Sequence, residues 1–254
     1  MFIIRDKWNQ RHLDSKIHSN NPSTIWNFLK EKMKRTCSRE SCWLKQSFMK
    51  NGLNQELKKN TFSPSPPETW RTKKNEWLSS VEISELMQQY EKKYKNFEFI
   101  GPSPIDYDTH VSHGECVWEE LCHFSLEKTL KRKKRKIGVV FNTDPHDKEG
   151  AHWVALFIDI DRGGVYYFDS YGDRISPQIN KFGKEVIKQA KKLGIVLKFE
   201  KNKKRHQFRE SECGMYCLYF IIQMIKSKKS FQQLMKMKIT DKKMLNLRRK
   251  YYNY

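Results

Sequence analysis

The chain has 254 residues, with 50 Lys or Arg against 29 Asp or Glu, a formal net charge of +21. Hydrophobic residues at 37% are enough for a core, but no run reaches the ~18 apolar residues of a membrane-spanning helix. The apolar patch in MFIIRDKWNQR is too short for a signal peptide. The expectation is a soluble protein that stays inside a cell.

Residues 1 to about 60 are polar and helical in pattern. Ser23–Lys34 (STIWNFLKEKMK) sets Ile25, Trp26, Phe28, Leu29 and Met33 near one helical face. FSPSPPETW, Phe62 to Trp70, is a proline-rich joint that no helix crosses. The chain is therefore divided into residues 1–69, a basic helical extension with its linker, and a compact domain over residues 70–254. A helix opens at Trp77-Leu78-Ser79, where Ser79 and Glu82 form a capping box and Leu78 and Ile83 a hydrophobic staple. Ile83, Leu86, Met87 and Tyr90 face inward. Gly101–Asp108 reads as loop, and 115–130 as short strand or helix ending in a basic run.

An α/β core follows. Ile137–Thr143 is a strand, and His152–Ile160 (HWVALFIDI) suits a buried central strand. Val165–Ser170 (VYYFDS) is its hairpin partner across a tight Asp161–Gly164 connection. Pro177–Leu193 is an amphipathic helix stopped by Gly194, and Ile195–Glu200 is a further strand. An apolar helix starts at Cys213, and a lysine-rich helix runs from about Asp241.

The chemistry-bearing residues fall at the ends of these elements. His152 heads one strand, Asp169 ends the next, and Cys213 stands at a helix N-terminus, where the dipole favours a thiolate. In an antiparallel pair the start of one strand lies beside the end of the other, so His152 and Asp169 can meet. A histidine oriented by an acid and paired with a sulfur makes a thiol nucleophile. Gln207 and the backbone N–H of Cys213 are the candidate oxyanion donors. Gly214 keeps the approach to the sulfur open, and Cys217, one turn on, packs inside. Glu210 and Glu212 should point to solvent, since a carboxylate facing the sulfur would oppose its ionisation.

The remaining cysteines, Cys37, Cys42, Cys116 and Cys122, are expected as reduced thiols packed as small hydrophobes. With His110, His113 and His123 they show no short Cys-x-x-Cys knuckle, so no metal site is assigned. No cofactor is required. Lys131–Lys136 and the Lys201–Arg205 cluster are either solvated turns or patches giving weak electrostatic binding to nucleic acid.

His152-Trp153, Asp169-Ser170 and Gln207-x5-Cys213-Gly214, in this order, resemble the ubiquitin-like-protein-specific cysteine proteases, the clan of SUMO proteases and the adenovirus protease. VVFNTD, GAHWVALFID, RHQ-x5-CG and ITDKKMLNLRRKYY look like its subgroup of large-DNA-virus polyprotein-processing proteases, that of African swine fever virus among them. The resemblance implies an α+β, papain-like fold of the SUMO-protease/adenain type, with a central mixed sheet flanked by helices and a helical N-terminal extension as accessory domain. It also implies a cysteine endopeptidase cutting viral structural polyproteins after Gly-Gly during virion maturation, in host cytoplasm and virion, with the nucleus as the alternative. Trp77 and Trp153 would clamp the substrate glycines. The family usually has Asp-Cys-Gly where this chain has Glu212-Cys213-Gly214, and the subgroup can place Asn at the position of Asp169. Two alternatives stay open: an isopeptidase acting on SUMO or ubiquitin conjugates, and an inactive polyanion-binding virion core protein.

Overall fold

The structure, a computed structural model, describes residues 1–37, 40–49, 57 and 61–253. The helical pattern expected over 50–56 and 58–60 lies outside the described residues. Contacts divide the chain into two compact units, Met1–Pro66 with Arg249–Tyr254, and Pro67–Arg248. Among the described residues no helix is long and apolar enough to cross a membrane.

In the first unit, α1 (Phe2–Arg11) and α2 (Pro22–Met33) carry a small core. Asn21 caps α2 by accepting from the N–H groups of Ser23 and Thr24, with Pro22 in the first turn, where a missing N–H costs nothing. Ile25, Leu29 and Met33 recur along the buried face of α2 and join Ile4, Trp8, Trp43 and Phe48 in one cluster.

The second unit holds a five-stranded mixed sheet in sequential order: β1 (Phe97–Ser103), β2 (Lys136–Asn142), β3 (Trp153–Asp159), β4 (Gly164–Phe168) and β5 (Lys198–Lys201). The outer pairs β1–β2 and β4–β5 are parallel, and the inner pairs are antiparallel. Strand β1 was not expected. Gly101-Pro102 reads as a loop signal, yet the strand passes through it with an irregular register between Ile100 and Ser103. Every residue of β3 is buried, as its unbroken apolar run requires.

Helices cover the sheet: α3 (Ser80–Lys93) after the expected Ser79–Glu82 capping box, α4 (Glu119–Cys122), α5 (Leu126–Lys131), and α6 (Pro177–Lys192), started by Ser176. They continue with α7 (Cys213–Lys226), α8 (Phe231–Lys236) and α9 (Asp241–Tyr251). All of α7 is buried except Gln223 and Lys226. Its N-cap, Glu212, makes no side-chain cap bond. The lost cap is worth about 1 kcal/mol, whereas each buried large apolar side chain contributes ~1.5–3 kcal/mol. Packing therefore holds α7 in place, and its first-turn N–H groups stay available to the sulfur. Gly138 on β2 gives α7 room: a Cβ there would meet Ile221 and Phe97 at 3.1 Å.

The cysteines correct the expectation of reduced thiols. Cys37 is bonded to Cys42 and Cys116 to Cys122, across Cα separations of 5.6 and 6.3 Å, within the range a disulfide spans. The expectation rested on compartment; it took no account of short local turns that bring each pair together.

Candidate active site

The β3–β4 register sets the first half of the site. Ala155 pairs with Phe168, so His152 and Asp169 emerge at the same end of the hairpin. His152 Nε2 lies 2.6 Å from Asp169 Oδ1. Asp169 is 2% exposed and further fixed from all sides. Its carboxylate accepts from the N–H groups of Tyr171 (3.1 Å) and Asp173 (2.9 Å). Its backbone is bracketed by Asn202, whose Oδ1 accepts from Asp169 N and whose Nδ2 donates to Asp169 O.

Cys213 is the first residue of α7 and is 1% exposed. With Nε2 committed to Asp169, the ring nitrogen left for the sulfur is Nδ1. Burial by itself would push the imidazole down, but hydrogen bonds and charge from Asp169 and Cys213 outweigh it and raise His152 to about 9. The ring is therefore held as imidazolium at neutral pH, the charge state that pairs with a thiolate. Cys217 is fully buried, its thiol 3.2 Å from the Trp153 carbonyl and pushed well up by burial, which suits a packing residue.

Gln207 is fully buried beside the hairpin end. Ser170 Oγ donates to its Oε1 at 2.6 Å, which fixes the amide's orientation. Its Nε2 donates to the Arg209 carbonyl at 2.5 Å and reaches the Tyr171 hydroxyl at 3.4 Å. The second contact is long, and it is the one a substrate oxygen could replace.

Two expectations shift here. Gly214 is buried, and a Cβ on it would meet Leu78 at 3.0 Å. Its lack of a side chain serves the packing of Leu78 rather than an open approach. Trp153 is 8% exposed, with Nε1 donating to the Leu78 carbonyl at 2.9 Å, while Trp77, next to Leu78, is 43% exposed. Glu210 faces solvent as expected. Glu212 does not: it is fully buried against Arg248, with Oε1 3.1 Å from Nη2. The sequence reading sent Glu212 to solvent and had no view of the arginine, 36 positions on, that pairs with it.

Two further neighbours were not anticipated. The Tyr171 ring stacks on the His152 ring at 4.7 Å and 18°. The Arg205 guanidinium lies 5.0 Å from the Tyr171 ring, and its Nε donates to the Gln207 carbonyl. Tyr171 follows directly on Asp169-Ser170, the one sequence signal that could have marked it.

Against known proteins, the chain is 36% identical over 202 residues to thiol protease R355 of Acanthamoeba polyphaga mimivirus, spanning 77% of this chain and 63% of that protein's length. It is 26% identical over 240 residues to cysteine protease S273R of African swine fever virus, covering 88% of this chain and 86% of the relative. The crystal structure of the African swine fever virus pS273R protease superposes with a TM-score of 0.71 at 22% identity, over 93% of each chain, a shared fold. The Ulp1 protease family, C-terminal catalytic domain, matches residues 81–254. That stretch contains the whole sheet and the His152, Asp169, Gln207 and Cys213 cluster, and the chain belongs to this family of cysteine proteases.

Proposed function

We propose that the protein is a cysteine endopeptidase in which His152, Asp169 and Cys213 act as a triad, cutting viral structural polyproteins after Gly-Gly during virion maturation. The observation that carries the reading is the 2.6 Å contact of Asp169 with one ring nitrogen of His152, which leaves the other for the sulfur at the tip of α7. In the proposed reaction the proton already rests on His152, and the Cys213 thiolate paired with it attacks the glycyl carbonyl carbon. The resulting oxyanion receives hydrogen bonds from the Cys213 N–H and from Gln207 Nε2, which gives up Tyr171. One such donor is worth ~2.7–4 kcal/mol of barrier. His152 then protonates the departing amine, and water, deprotonated by the same ring, releases the acid and restores the thiol.

Glycine preference is proposed to come from Trp77 and Trp153, whose flat indoles would have to close on the substrate to form a slot too narrow for a side chain. The proposed place of action is the host cytoplasm and the assembling virion, since the relatives named above are viral. Weak association with nucleic acid is proposed from the net charge of +21.

Purified protein and its Cys213→Ala variant, incubated with candidate structural polyproteins and read by mass spectrometry, test the reading. New termini after Gly-Gly are expected from the native chain. The variant should be slower by roughly 10⁴-fold or more. Equal processing by both would sink the triad. Intact polyproteins alongside cleaved ubiquitin-like conjugates would establish the isopeptidase instead.

A further inference from the structure

Away from the His152 cluster, the groups of metal-ligating atoms found among the described residues lie between β1 and α5. His110 and Cys116 face each other across an isolated antiparallel bridge, with His110 Nε2 3.8 Å from Cys116 Sγ. The bridge is fastened by Val111 N donating to Glu115 O and Val117 N to Thr109 O. Cys122 closes α4, bonded to Cys116. The ligand atoms of His110, Cys116 and Cys122 all lie within 4.8 Å of one another, as do those of Cys116, Glu119 and His123. Glu119 accepts from Cys116 N at 2.6 Å and lies 3.2 Å from His123 Nε2.

A disulfide staple alone needs only two sulfurs. It gives no reason for two imidazoles and a carboxylate to gather round them, because a cystine sulfur is a feeble partner for a ring N–H. The donor set of two sulfurs and two imidazoles matches what Zn²⁺ prefers. We propose that the reduced form of this cluster is a zinc site, held by the thiolates of Cys116 and Cys122 and the imidazoles of His110 and His123. In a tetrahedral S₂N₂ site a sulfur and a nitrogen stand about 3.6 Å apart and two sulfurs about 3.8 Å. His110 and Cys116 already meet the first distance, and the 6.3 Å Cα separation of the cysteines accommodates the second. His123 Nε2 faces the Glu119 carboxylate, the pairing that metal-bound histidines keep, which leaves Nδ1 for the ion. Its side chain is 68% exposed, and its ring already lies within reach of Cys116.

Two equivalents of a thiol reductant supply two electrons and two protons, opening Cys116–Cys122 to two thiols and leaving the reductant as its own disulfide. Zn²⁺ binding then releases both thiol protons to solvent. The oxidised pair cannot hold the ion, so occupancy follows the redox state of the surroundings. The site shares no residue with the His152 cluster and stands whether or not the peptidase reading does.

The test uses the full chain carrying Cys213→Ala, reduced with a phosphine that is itself converted to its oxide, and titrated with Co²⁺. One equivalent should bind, with thiolate-to-metal absorption in the near ultraviolet and tetrahedral visible bands that Zn²⁺ abolishes. Cys116→Ser or Cys122→Ser should remove these bands, and His110→Ala should weaken binding by roughly tenfold or more. Cys37→Ser/Cys42→Ser should leave them unchanged. His110 is exposed, so its variant keeps the test decisive if either serine variant misfolds by circular dichroism. No uptake by the reduced chain, bands that survive loss of Cys116 and Cys122, or bands lost with Cys37 and Cys42 would each overturn the proposal.

Discussion

His152 is held by an acid on one nitrogen and a sulfur on the other, and both favour its charged form over the burial that opposes it. Its ordinary value is near 6.5 and its value here is about 9, so the imidazolium persists below that and is lost as pH rises through it. The stability contributed by the pair is complete below about 6.5 and fades through about 9. In the proposed cycle the protonated ring serves the leaving amine, so kcat/KM for a Gly-Gly peptide should fall along an alkaline limb near pH 9. Asp169→Asn removes an influence that raises the ring and should move that limb to lower pH; a limb that stays put would mean Asp169 does not tune the ring. Tyr171 is the other lever. Its ring backs the imidazole, and its hydroxyl occupies the Gln207 amide at 3.4 Å. Tyr171→Ala should lower kcat by roughly tenfold through loss of ring positioning, while Tyr171→Phe keeps the stack and should retain kcat. If both variants fell equally in peptide assays, the hydroxyl rather than the stack would be what matters.

The last helix braces the loop that carries the site. Asp241, at the start of α9, accepts from Phe208 N and from the Tyr216 hydroxyl. Seven positions on, Arg248 reaches Glu212 at 3.1 Å, donates to the Glu76 carbonyl, and lies 4.3 Å from the Trp70 ring. Both ends of the run from Gln207 to Cys213 are thereby fixed by one helix. Removing one partner of a buried ion pair costs ~3–5 kcal/mol, because the other charge is left uncompensated. Arg248→Met should therefore destabilise the fold by about that amount, leaving Glu212, already pushed up by burial, without its partner, and slow alkylation of Cys213 by loosening the turn that holds it. Glu212→Gln in the same chain should restore most of both, as read by denaturant unfolding and iodoacetamide labelling. A double variant as impaired as Arg248→Met would assign the arginine's role to packing on Trp70. Sequence made α3, α6, α7 and the inner strands legible, since apolar period, the Ser79 cap, the Gly194 stop and unbroken runs are local signals. It singled out His152, Asp169 and Cys213 because each sits at the end of such an element, and Gln207 by its place six positions before the cysteine. It missed β1, where Gly101-Pro102 imitates a loop, and it missed Asn202, Tyr171 and Arg248, whose importance comes from partners made adjacent only by the fold.

Charge dominates the chain as a polyelectrolyte, yet both basic clusters are locally engaged. Lys131 pairs with Glu127, Arg132 with Glu98, and Arg135 with Asp161, while Lys134 and Lys136 donate to the carbonyls of Phe97 and Ile225. Lys204 likewise donates to the carbonyls of Lys236 and Met237. Exposed ion pairs are worth only ~0–1 kcal/mol, so phosphates can compete for them. Association with duplex DNA should weaken steeply between about 50 and 200 mM salt while peptide hydrolysis hardly changes. A salt-independent complex, measured by fluorescence anisotropy, would show that the basic excess is not its cause. The proposed nucleophile is more restrictive than the charge. With 1% of Cys213 open to solvent, a substrate of the proposed reaction would have to reach it as a bare, stretched strand. A precursor whose scissile glycines are tucked into a folded domain would pass untouched. Which joints of a polyprotein are severed, and in what order, would then be dictated by when each linker becomes slack during assembly.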